Sequence, residues 1–143
     1  MPGYQKILVL LDLSDDSEQV LVAGRNMAAH SNASIVALHV VEIVPVEPMG
    51  ESLLPTRRVE EEWVERSRKN LDELVRRLGC ANANCRVEVG NTKAEILRVA
   101  EEEKADLIVL GSHERHGLAI LVNFTEDTVL HAAHCDVLAV RLS

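Results

Sequence analysis

"VEVGNTKAEILRVAEEEKADLIVLGS", Val87 to Ser112, contains a strand, a helix and a second strand in one unbroken stretch. Cys85 to Val89 ("CRVEV") is a short run of strand-forming residues. Thr92 to Glu103 then places Ile96, Leu97, Val99 and Ala100 at helical spacing, so one face points inward. Asp106 to Leu110 ("DLIVL") is apolar throughout after its first residue. A strand that alternates apolar and polar residues has one wet face; a continuous apolar run is covered on both. Two strands joined through a helix run parallel, by a right-handed crossover. This stretch therefore predicts an α/β fold with helices on both faces of a parallel sheet.

The flanking sequence repeats the pattern. Lys6 to Leu13 ("KILVLLDL") is a buried strand, and Ser14, Asp15, Asp16 and Ser17 offer N-caps for a helix carrying Val20, Leu21, Ala23, Met27 and Ala28 toward Asn32. Ser34 to Val41 ("SIVALHVV") is the next strand. Ile43 to Thr56 holds every proline except Pro2 and is expected to be a loop. From Arg57 to Leu78 an apolar stripe of Val59, Trp63, Leu71, Leu74, Val75 and Leu78 predicts a long helix, with Gly79 at its C-cap. A helix around Thr125 to Ala133 and a strand from Asp136 to Leu142 ("DVLAVRL") complete the series. Five strands and four helices in 143 residues make a single domain, 1–143, with an open doubly wound sheet.

Composition excludes several functions. A net charge of −8, with no basic face interleaved with aromatics, argues against nucleic acid as a partner. The N-terminal apolar run is short, with Lys6 as its lone preceding cation and acidic residues directly after it, so neither a signal peptide nor a membrane span is expected, and the protein is read as cytoplasmic. Cys80, Cys85 and Cys135 are then expected as free thiols, and the sequons at Asn32 and Asn123 as chance matches.

In a doubly wound sheet, ligands bind outside the carboxyl ends of the strands where the strand order reverses. That rule points to Asp12, to Val41 and to the segment "GSHERHGLAILVNFTED", Gly111 to Asp127. Taken in order, "KILVLLDLSDDS", "ALHVVE", "VEVGNTKAEILRVAEEEKADLIVLGSHERHGL" and "VLHAAHCDVLAVRL" resemble the universal stress protein family over the whole chain apart from the proline-containing loop. The resemblance implies a sheet of order 3-2-1-4-5 and a homodimer paired through the last strand, here Val137, Leu138, Ala139 and Val140. It also implies an adenine nucleotide site in those members that keep a motif of glycine, two residues, glycine, eight or nine residues, then glycine and Ser or Thr. The glycines let backbone N–H groups approach the phosphates, and the helix N-terminus receives their charge. In such a site Asp12 would meet the ribose or adenine end, and the backbone at Val41 would contact adenine.

Against that motif the chain keeps Gly111, but Glu114 stands at the second glycine. A nine-residue spacer puts Phe124 at the third glycine with Thr125 as the hydroxyl; an eight-residue spacer puts Asn123 and Phe124 there. A carboxylate within about 4 Å of a phosphate charge costs roughly 1 kcal/mol in water and up to about 4 at an effective dielectric near 20. Asn123 and Glu126 also form a capping box, and Glu126 and Asp127 place negative charge in the first turn, where it competes with a phosphate. ATP binding is therefore expected to be lost or weakened. The alternative is retained ATP, ADP or AMP, with Arg115 and His116 attracting phosphate and Gly117 serving the turn.

Other chemistries find less support. His113 and His116, and His131 and His134 with Cys135, are spaced as metal ligands but read as surface or capping histidines, so no metal is expected. Flavin, phospho-acceptor and P-loop sites each lack required residues, and no nucleophile–base set can be assigned. The expected function is a stress-associated dimeric regulator or interaction module with unidentified protein partners, not an enzyme beyond weak ATP hydrolysis.

Overall fold

The computed structural model describes residues 3–42, 57–113, 129 and 131–142. Its elements are β1 (Lys6–Leu10), α1 (Ser17–Ser31), β2 (Ser34–Val41), α2 (Arg57–Arg77), β3 (Asn84–Val89), α3 (Thr92–Glu102), β4 (Leu107–His113) and β5 (Asp136–Leu142). All four strand pairs are parallel, in the order β3-β2-β1-β4-β5. Of the expected fourth helix, Val129, His131 and Ala132 are helical, and the backbone N–H of Ala133 donates to Val129 at 2.9 Å. Residues 125–128 and 130 lie outside the described residues.

The continuous apolar runs are explained by two cores. On one face Ile7, Val9, Leu107 and Val109 pack with Val20, Leu21, Ala28, Leu71, Leu74 and Val75 of α1 and α2. On the other, Leu8, Val36, Leu38, Ile108 and Leu110 pack with Ile96, Val99, Ala100 and Val129. Alternate residues of β1 and β4 thus enter opposite cores, and burying each large aliphatic side chain contributes about 1.5–3 kcal/mol. Helix α1 lies so close to β1 that a Cβ on Gly24 would fall 2.6 Å from Cγ2 of Val9.

Three expectations need correction. The first strand stops at Leu10, because Leu13 adopts a left-handed backbone (φ 64°) and turns the chain out of the sheet. Gly111 does not end β4: the strand runs on to His113, paired along β5 through Leu142. Trp63 is 40 % exposed, since the residues that α2 buries, Leu71, Leu74 and Val75, all fall in the part that crosses β2 and β3. The C-cap at Gly79 is as expected: with φ 74°, its N–H donates to Arg76 and that of Cys80 to Val75.

The sheet has two edges. At the β3 edge Arg86 bonds Glu88, Glu102 and Glu103, while Arg98 pairs with Glu88, Glu95 and Glu102. At the β5 edge Ala139 is exposed and Val137, Leu138 and Val140 are half-buried.

Candidate functional site

β1 pairs with β2 on one side and with β4 on the other, so the crossovers leave β1 in opposite directions. A crevice opens where they part, outside the carboxyl ends of β1 and β4. Asp12, Leu13 and Ser14 follow the end of β1, Gly111 and Ser112 stand near the end of β4, and Val41 ends the neighbouring β2 with Glu42 just beyond it.

The turn after β1 is built by Asp12. Its Oδ1 accepts the backbone N–H of Ser14 at 3.0 Å, the Ser14 hydroxyl at 2.7 Å and the Ser17 hydroxyl at 3.0 Å. Ser14 Oγ in turn accepts the N–H of Asp16 at 3.3 Å. Asp16 occupies the N-cap position of α1 with a helical backbone and no side-chain capping bond. From outside the helix, Asp12 ties the turn to the first residue of α1 by accepting the hydroxyl of the buried Ser17. One oxygen of the carboxylate assigned to a ribose is committed to this local network.

Two further contacts fix the crevice. Nδ1 of His39 lies 2.8 Å from the carbonyl of Leu11; as the acceptor is a carbonyl, Nδ1 carries the proton and donates. Nothing in the spacing of residues points to this role, although His39 lies in the "ALHVVE" segment. The Val41 carbonyl accepts the N–H of Gly90 at 3.1 Å, so the backbone assigned to adenine also closes the end of the β2–β3 ladder. Beyond it, the Thr92 hydroxyl donates to Glu42 at 2.9 Å, and Asn91 caps α3 by accepting the N–H of Ala94 at 3.0 Å.

Gly111 has a role in packing. A Cβ there would stand 2.7 Å from Cδ1 of Leu142 and 3.2 Å from Cγ2 of Val20. Absence of a side chain lets β5 and α1 close over the end of β4. Glu114, Arg115, His116, Gly117, Asn123, Phe124 and Thr125 lie outside the described residues.

The cysteines are free and none is activated. Burial, reinforced by a hydrogen bond with Asp72, pushes the Cys85 thiol up to about 11. Burial also raises Cys80, and burial with the nearby charges of Asp136 and Asp106 raises Cys135. Among the described residues no group of three or more His, Cys, Asp or Glu could hold a metal ion. No helix among them is long and apolar enough to cross a membrane.

The universal stress protein family model matches residues 3–141. Universal stress protein A homolog 2 of Coxiella burnetii (strain RSA 493 / Nine Mile phase I) is 36% identical over 143 residues, covering 99% of this chain and 98% of the relative. Two solved structures share the fold. Hypothetical protein MJ0577 superposes with a TM-score of 0.73 at 21% identity, covering 96% of each chain. A universal stress protein in complex with cAMP superposes with a TM-score of 0.71 at 21% identity, covering 97% of this chain and 98% of the other. The match runs through both cores and both walls of the crevice, on the same sheet architecture, and so this chain belongs to the universal stress protein family.

Proposed function

We propose that this chain is a homodimeric stress-response regulator or interaction module in which ATP binding is lost or strongly weakened, and that it acts without robust catalysis. The observation that carries this reading is the sequence after β4, where Glu114 replaces the second glycine of the phosphate motif and Asn123 or Phe124 the third. The commitment of Asp12 Oδ1 to Ser14 and Ser17 supports it, because a ribose hydroxyl could take that oxygen only by sharing it. Dimerisation through β5 is supported by the edge position of that strand and its exposed Ala139.

A second reading draws on the neighbour in complex with cAMP. In it the crevice accepts an adenine nucleotide with a short phosphate group, which needs fewer backbone donors, and acts as a nucleotide-dependent switch with weak ATP hydrolysis. Calorimetric titration of ATP, ADP, AMP and cAMP into nucleotide-free protein separates the two. No heat with ATP in the parent and saturable binding in Glu114→Gly supports lost binding; micromolar ATP affinity in the parent refutes it. Light scattering tests the assembly: twice the monomer mass is expected at micromolar concentration, reduced toward monomer by Ala139→Lys, which sets like charges against each other across a two-fold axis. A parent that stays monomeric refutes the dimer.

A further inference from the structure

A cavity of about 390 Å³ opens at the amino ends of the strands, opposite the crevice, between the last turn of α3 and the segment entering β5. Its size falls within the range of small-molecule sites. Leu97, Ala100, Ile108 and Ala133 give it an apolar floor continuous with the second core. Exposed Lys104 and His134 stand at its mouth.

Lys104 is held there in a left-handed backbone conformation, φ 55°. The N–H of Lys104 donates to Glu101 and that of Ala105 to Ala100, the same pair of bonds that closes α2. In α2 the left-handed position is filled by Gly79, which carries no Cβ penalty. A lysine at the equivalent position of α3 is sterically disfavoured, and strain of this kind gathers where a side chain has work to do. Its ammonium has no ion pair among the described residues, whereas neighbouring Arg98 is engaged by Glu88, Glu95 and Glu102. The two bonds also satisfy the Ala100 and Glu101 carbonyls at the end of α3. Among the described residues of the lining, Glu101 is the one carboxylate.

We propose that this cavity is a binding site for a small amphipathic carboxylate, with its aliphatic or aryl-alkyl body on the Leu97–Ala100–Ile108–Ala133 floor and its carboxylate at Lys104 and His134. The site is independent of the nucleotide reading, because it lies at the other end of the sheet and uses none of the same residues.

Octanoate is the probe, with octylammonium as the charge-reversed control, followed by calorimetry and amide chemical shifts. Saturable octanoate binding is expected, with shifts centred on Ala100, Lys104, Ile108 and Ala133. Octylammonium should bind at least tenfold more weakly. Lys104→Met, which keeps the stem and the backbone strain, should weaken octanoate at least tenfold with the melting temperature unchanged. Lys104→Gly should weaken it similarly while the melting temperature rises. Absence of octanoate binding, equal binding of octylammonium, or full affinity in both Lys104 variants overturns the proposal.

Discussion

Gly111→Ala tests whether the glycine that opens the phosphate-motif segment is held by packing. The added methyl would meet Leu142 Cδ1 at 2.7 Å and Val20 Cγ2 at 3.2 Å. Both neighbours are more than nine-tenths buried, at 7% and 4% exposure, so neither swings freely into solvent. Overpacking of this kind costs about 1–3 kcal/mol. Alanine returns roughly 0.4–1 kcal/mol by narrowing the unfolded ensemble, since the backbone at Gly111 is ordinary strand that alanine adopts. The net expectation is a loss of about 1–2 kcal/mol, or about 3–7 °C in melting temperature for a domain of this size. Urea unfolding of Gly111→Ala, Leu142→Ala and the double variant measures the coupling. Removing Leu142 Cδ1 should make Gly111→Ala close to neutral, a coupling energy of about 1–2 kcal/mol. A single variant as stable as the parent, or a cost undiminished in the Leu142→Ala background, refutes the packing role.

Asp12→Ala should cost about 1–2 kcal/mol in urea unfolding, because two donors of Ser14 in the turn and the Ser17 hydroxyl at the start of α1 lose their acceptor; Asp12→Asn, which keeps an oxygen there, should stay within about 0.5 kcal/mol. Equal losses in both would show that the charge rather than the acceptor geometry matters. Raising the Cys85 thiol from 9.0 to about 11 lowers its thiolate fraction about 100-fold at pH 8, and a disulfide reagent should label it correspondingly slowly. The rate should rise about tenfold per pH unit through pH 9 to 10 and level only above about 11; a plateau near pH 9 would show that burial does not control the thiol.

The fold was legible because both sheet faces are covered. "KILVL", "IVALHVV" and "LIVL" are apolar without alternation, and this pattern has few other solutions when helices intervene. The β3–α3–β4 unit was read with no boundary off by more than three residues, and Gly79 and Asn91 performed the capping their types favour. The site was less legible for a physical reason. Sequence identifies a residue's chemistry but not its nearest partner: Asp15 and Asp16 are better placed than Asp12 to serve the start of α1 until the left-handed turn at Leu13 brings Asp12 back over Ser14 and Ser17. His39 was obscure for the same reason, since its partner carbonyl, that of Leu11, lies just past the end of β1 and far away in sequence. Trp63 shows the limit of periodicity, which finds the apolar face of a helix but not how far the sheet beneath it extends.

The two sheet edges differ in charge, which bears on the dimer proposed above. β3 presents Arg86 and Glu88 to α3, where they join Glu95, Arg98, Glu102 and Glu103 in one network, and Lys6 of β1 reaches Glu103 at 3.4 Å. A strand added along β3 would set its own side chains against these charges, and desolvating even part of the network would cost more than the added backbone bonds contribute. β5 carries instead half-buried Val137, Leu138 and Val140 and exposed Ala139, with Asp136 and Arg141 toward its ends. Pairing there covers apolar atoms, and in an antiparallel arrangement it brings Asp136 of one copy toward the Arg141 end of the other. Charge thus discourages association at the first edge and favours antiparallel register at the second. The proposed dimer follows from this asymmetry as well as from the resemblance.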